Sequence, residues 1–143
     1  MPHTNPTDDD LRELLLTSRT IAMVGASAHP EQPSHRVMQQ LLDAGYHVIP
    51  VNPHEKEVLG QKAYASLIDI PEKVDIVDVF RPGEATPPIA DQAVTIKARA
   101  FWLQLGISSD AAATRAKSAG LMVIMDKCIG RTIKELAIPA REA

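Results

Sequence analysis

The sequence holds one cysteine, Cys128. A lone thiol excludes a disulfide within the chain and any metal site built on a cysteine cluster. Aromatic residues make up only 3%, too few for the stacking platforms that grip single-stranded bases. Charge of one sign is also scarce: 15 basic residues stand against 18 acidic ones, a net −3. That balance excludes a broad nucleic-acid surface but leaves room for a local phosphate site. No stretch approaches the ~20 apolar residues of a membrane span. The start, MPHTNPTDDD, is acidic where a secretory signal is basic and then apolar. These absences point to a soluble, cytoplasmic protein of bacterial style, with no membrane partner.

What is present fits a globular domain. A chain of 143 residues with 45% apolar content can bury a core without a disulfide or metal staple. No linker divides it, so residues 1–143 are expected to form one domain, with 1–7 as a disordered lead-in. The 11 prolines and 7 glycines are many for so compact a chain, and their positions matter below.

Apolar runs alternate with helical patterns along the whole chain. Strands are expected at 20–24, 47–51, 75–80, 100–105 and 121–125, each short, apolar and followed by a turn signal. Thr7 is placed to cap a first helix, with Asp8, Asp9 and Asp10 in its first turn. Ser34 is placed to cap a second helix, which Gly45 ends. The stretch 54–65 reads as a loop with a turn at Gly60, and 66–71 as a short helical turn. Further helices are expected at about 87–98, from Ser108 or Ser109 to Ala119, and at about 130–137. This order predicts an α/β, Rossmann-like three-layer fold: one parallel sheet of about five strands with helices on both faces.

In such sheets ligands sit beyond the carboxyl ends of the strands. Five segments should therefore share one edge: Gly25-Ala26-Ser27, Asn52-Pro53, Arg81-Pro82-Gly83, Gln104 with Gly106, and Asp126-Lys127-Cys128. Gly25 lets the backbone turn off its strand and approach a ligand. The helix that Ser34 opens offers free N–H groups to a phosphate, and Arg36 adds a charge. The plain alternative is a glycine that serves only the turn. The dinucleotide fingerprint G-x-G-x-x-G is not met, because Ser27 and Pro30 stand at the later glycine positions. Strand two ends in Asn52, not in the acid that bonds an NAD ribose. That leaves a phosphorylated adenosine open.

The blocks VGAS (24–27), Pro33-Ser34, GYHVIPVNP (45–53), LG (59–60), VDIVDVFRP (74–82), WLQLGI (102–107) and MDKC (125–128) follow in order. Over about 8–136 the chain resembles the small stand-alone bacterial CoA-binding proteins of the YccU type. Those are similar to the N-terminal domain of the succinyl-CoA synthetase alpha subunit. The resemblance implies a domain that takes coenzyme A or an acyl-CoA as its small-molecule ligand. The chain is expected to bind it without catalysis, with a regulatory role open to it, as a monomer or weak homodimer. It further implies that Gly25, Ala26 and Ser27 approach the CoA phosphates, with Ser34 and Arg36 nearby. Asn52 and Pro53 would border the adenosine. Phe80 and Arg81 would wall the nucleotide, and Gln104, Gly106 and Asp126 would lie toward the pantetheine. The synthetases' phosphohistidine domain has no counterpart within these blocks, which speaks against ligase activity.

Other reactive residues have plain readings. The five histidines, His3, His29, His35, His47 and His54, form no zinc-hydrolase pair. Cys128 could meet the CoA thiol or be a buried, inert thiol. Asp78, inside an apolar strand, is either a structural hydrogen-bonding group or an acid with a raised pKa. A nicotinamide-dependent oxidoreductase and a CoA-gated protein-interaction module remain as alternatives.

Overall fold

The computed structural model describes residues 3–140. Helix α1 (Asp8–Thr17) starts as expected: the Thr7 hydroxyl accepts the Asp10 N–H at 3.2 Å, and Leu11, Leu14 and Leu15 are buried. Strand β1 (Thr20–Val24) follows, then α2 (Pro33–Asp43) and β2 (His47–Val51). The chain continues through β3 (Glu57–Val58), β4 (Gln61–Lys62), a 3-10 turn at Leu67–Asp69, and β5 (Ile76–Val79). After a second 3-10 turn at Gly83–Ala85 come α3 (Thr86–Thr95), β6 (Ala100–Leu103), α4 (Asp110–Ser118), β7 (Met122–Ile124) and α5 (Ile129–Glu135).

The main sheet has five parallel strands in the order β2-β1-β5-β6-β7. Alternate residues of each strand face opposite layers, so two apolar clusters form. Val24, Val77, Val79, Phe101 and Leu103 meet α3 and α4, whose Ala90, Ala93, Ala112, Ala113 and Ala116 let these helices approach closely. Ile21, Met23, Ile76, Trp102 and Ile124 meet α1, α2 and α5. Burial on both faces is why the strands read as unbroken apolar runs. Pro50 lies on edge strand β2, where its missing N–H is tolerated.

Three local expectations change. The second helix is capped at Gln32, with Pro33 at its first position and no side-chain cap bond. Proline's fixed φ suits that position, so Ser34 lies inside the first turn and is buried. The stretch 54–65 is more than a loop, since β3 and β4 pair antiparallel. Leu59 and Gly60 have φ of 49° and 78°, both positive as a type I′ hairpin turn requires. The lead-in is held in part. Asn5 donates to the Met125 carbonyl at 2.8 Å and accepts the Met125 N–H at 2.9 Å. Met1 and Pro2 lie outside the described residues.

Candidate functional site

The strand order fixes where a crevice must open. From β1 the chain steps outward to β2, then crosses back to β5 on the other side of β1. Connections therefore diverge between the carboxyl ends of β1 and β5, the switch point where open α/β sheets hold their ligands. Gly25 stands there with φ of 87°. A Cβ on it would lie 2.7 Å from the Phe80 carbonyl oxygen and 3.4 Å from Cδ of Arg81. The two strand ends thus meet with no side chain between them, and only glycine permits it.

Two clefts open at this edge. Val24, Gly25, Val51, Asn52, Pro53 and Arg81 line a smaller one of about 260 Å³. A larger one, about 590 Å³, lies between α2 and α5 over the ends of β5 and β6. Its walls include Arg36, Phe80, Gln104, Leu105, Arg131 and Lys134. Phe80 lines the larger cleft and its chain neighbour Arg81 the smaller, so the clefts adjoin at β5. The larger cleft has three cationic side chains and no acidic one among its lining residues. Val37, Phe80, Leu105 and Ile107 add apolar surface to its lining, and Leu105 is 56% exposed.

Several residues expected at a ligand instead brace the loops. The Asn52 side chain donates to the Ala26 carbonyl at 2.8 Å and accepts the His54 N–H at 2.8 Å, tying the loops after β1 and β2 together. Glu55 accepts the Ala28 N–H at 2.9 Å, and Ser27 accepts the His29 N–H at 3.1 Å. Asp126 accepts the Gly106 N–H at 2.6 Å, joining the loops after β6 and β7. Ala26, Ser27, Ser34, Gly106 and Asp126 line neither cleft. Arg36 donates to the Glu31 carbonyl at 3.2 Å yet still lines the larger cleft.

Asp78 is the most buried charged residue beneath the site, at 0% exposure. Burial pushes its carboxyl up to about 8, against a smaller opposing effect of the hydrogen bond from Gln104. Gln104 Nε2 donates to Asp78 Oδ1, while Oδ2 has no partner among the described residues.

Sequence reasoning passed over Leu105, Arg131 and Lys134. Arg131 and Lys134 are three apart on α5, hence on one helix face. That spacing, directly after the last strand-end segment, was the available signal. Gln40 was also missed; its amide donates to the Gly130 carbonyl at 3.2 Å and joins α2 to α5 at the cleft wall.

Residues 19–134 match the CoA binding domain family. The chain belongs to that family. It is 43% identical over 125 residues to the uncharacterized protein YneT of Bacillus subtilis, across 87% of this chain and 93% of YneT. A hypothetical protein from Pyrococcus horikoshii OT3 superposes with a TM-score of 0.90 at 40% identity, covering 96% of this chain and 99% of that one. Part of the chain is also similar to a small part of larger enzymes. An ADP-forming acetate–CoA ligase of Archaeoglobus fulgidus is 32% identical over 82 residues, 56% of this chain but only 12% of the ligase. The Rossmann-like fold read from the sequence is the one observed. Among the described residues no helix is long and apolar enough to cross a membrane.

Proposed function

We propose that this protein binds coenzyme A or an acyl-CoA across the two clefts, and that it holds the ligand without transforming it. The observation that carries this reading is the pair of clefts meeting at Gly25, Phe80 and Arg81, on the switch point of a CoA-binding-family sheet. In doubly wound sheets the end of the second strand borders the ribose. The smaller cleft, lined by Asn52 and Pro53, therefore suits the adenosine, with Arg81 toward phosphate. An uncharged Asn52 poses no repulsion to a ribose phosphate, which an acid there would. The pyrophosphate then crosses at Gly25, with Arg36 on the far side, and the pantetheine arm runs into the larger cleft beside Phe80 and Gln104. Two carboxylates of the strand-end loops, Glu55 and Asp126, hold backbone N–H groups, and neither cleft has a carboxylate among its lining residues, which supports a binding role over acid–base chemistry.

Calorimetry with CoA, dephospho-CoA and NADH tests the reading. Saturable CoA binding with weaker dephospho-CoA binding is expected. A folded sample that binds NADH and ignores CoA would point to a nicotinamide-dependent reaction instead. Arg81→Ala is expected to weaken CoA by roughly ten-fold, the worth of one charge-assisted hydrogen bond, with thermal stability unchanged. Undiminished affinity would remove Arg81 from the site.

A further inference from the structure

Gln104 is only 3% exposed, yet it lines the larger cleft. Its Nε2 donates down to Asp78, the one side-chain hydrogen bond recorded for it among the described residues. An amide anchored through its nitrogen leaves its carbonyl oxygen for the other side. That oxygen is absent from the buried, unpartnered polar atoms of the described residues, whereas Asp78 Oδ2 is among them. Gln104 Oε1 thus keeps contact with the cleft. Asp78 sits on β5 between Met23 of β1 and Trp102 of β6 in register. Neither neighbour needs a carboxyl there, so the sheet alone does not account for a buried acid whose burial is unfavourable.

We propose that Asp78 is a positioning residue: by holding the Gln104 amide nitrogen, it turns the Gln104 carbonyl oxygen into the cleft as an acceptor for a secondary amide N–H of the ligand's arm. Pantetheine carries two such amides, so the inference rests on the CoA reading above and adds how that arm is recognised. Without Asp78 the Gln104 amide can rotate and present either its nitrogen or its oxygen, and the preference for a donor is lost.

The test is a double-mutant cycle read by calorimetry with two ligands, CoA and 3′-phospho-ADP, which lacks the arm. The variants are Asp78→Val, Asp78→Asn, Gln104→Met and the Asp78→Val/Gln104→Met pair. Asp78→Val and Gln104→Met are each expected to weaken CoA by roughly five- to ten-fold, the worth of one hydrogen bond. Binding of 3′-phospho-ADP should not change. Asp78→Asn keeps an acceptor for Gln104 Nε2 and should restore affinity to within about two-fold of the parent, inside the error allowed for independent sites. In the Gln104→Met background, Asp78→Val should have no further effect, because it acts through Gln104. Equal losses on both ligands would reduce the pair to a structural role and overturn the proposal, as would independent, additive effects of the two substitutions. If Asp78→Val alone fails to fold, the double variant removes both polar partners together and still decides: it must match Gln104→Met on CoA, and any further arm-specific loss overturns the proposal. A parent protein that binds neither ligand would instead refute the CoA reading itself, whereas a parent that binds CoA while the variants behave as in the overturning outcomes leaves that reading standing.

Discussion

A carboxyl at the centre of a sheet has a consequence for stability that can be measured without any ligand. The Asp78 pKa is about 8 in the fold against an ordinary 3.8. Between those values the unfolded chain has lost this proton and the folded chain keeps it. Folding must then take up a proton, so this group's contribution grows less favourable as pH rises through that window, and levels off above about pH 8. Asp78→Asn removes the titration. Its melting temperature relative to the parent is expected to rise steadily from about pH 5 to about pH 8, in thermal scans across that range. Parallel curves for the two proteins would show that Asp78 is not the source. Gly25 supports a second prediction at this scale. Gly25→Ala places a Cβ 2.7 Å from the Phe80 carbonyl at a φ of 87°. Backbone must move, at about 1–3 kcal/mol, and the movement occurs where the two clefts meet. Both a lower melting temperature and weakened CoA binding are expected. Binding that survives intact in a folded variant would separate Gly25 from the ligand path.

The elements differ in how plainly the sequence announces them. Strands β1, β2, β5, β6 and β7 are apolar runs bounded by Gly, Pro or Asn, and each was legible because burial on two faces leaves no polar interruption except Asp78. Helix α4 was legible from its Ser109 cap, which accepts the Ala112 N–H at 3.1 Å. The β3–β4 hairpin was not, because its turn uses Leu59 where Asn or Asp is the usual cue. The cap of α2 was misplaced by two residues, because proline at the first helical position competes with a serine cap signal. For the site, strand ends gave Gly25, Arg81 and Gln104 at once. Arg131 and Lys134 escaped, since they reach the cleft only through the way α5 lies against α2. Whether Asn52 and Asp126 face a ligand or hold a neighbouring loop depends on side-chain partners far away in sequence. That placement of α5 also yields a test. Cys128, the sole cysteine, lines the larger cleft at the start of α5. CoA occupying this cleft is expected to slow alkylation of Cys128, followed by mass spectrometry. ADP alone, confined to the smaller cleft, should leave the rate unchanged. Equal protection by both would place the adenosine in the larger cleft and reverse the orientation.

Across the whole molecule, the two clefts are held in register by one rigid feature, the contact of Gly25 with Phe80 and Arg81. A ligand long enough to reach both gains from each cleft, but loses its translational freedom only once. Separate fragments lose it twice. CoA should therefore bind far more tightly than either ADP or pantetheine, and more tightly than a sum over independent fragments would suggest. The cationic residues fall on both sides of that contact, Arg81 in one cleft and Arg36, Arg131 and Lys134 in the other. Their division predicts a crossed pattern. Arg81→Ala should weaken both ADP and CoA and leave pantetheine alone. A paired Arg131→Ala/Lys134→Ala variant should weaken CoA by about two- to five-fold with little effect on ADP, because the uncharged arm can take only hydrogen bonds and alkyl-stem contact from these exposed side chains. Competition calorimetry with the three ligands distinguishes the cases. Loss of ADP binding in the α5 variant would mean that the phosphates lie over α5, with the arm directed toward β2. A net charge of −3 does not oppose such a ligand, because Arg81, Arg36, Arg131 and Lys134 gather at one edge of the sheet and Arg81 and Arg36 flank the path of the phosphates.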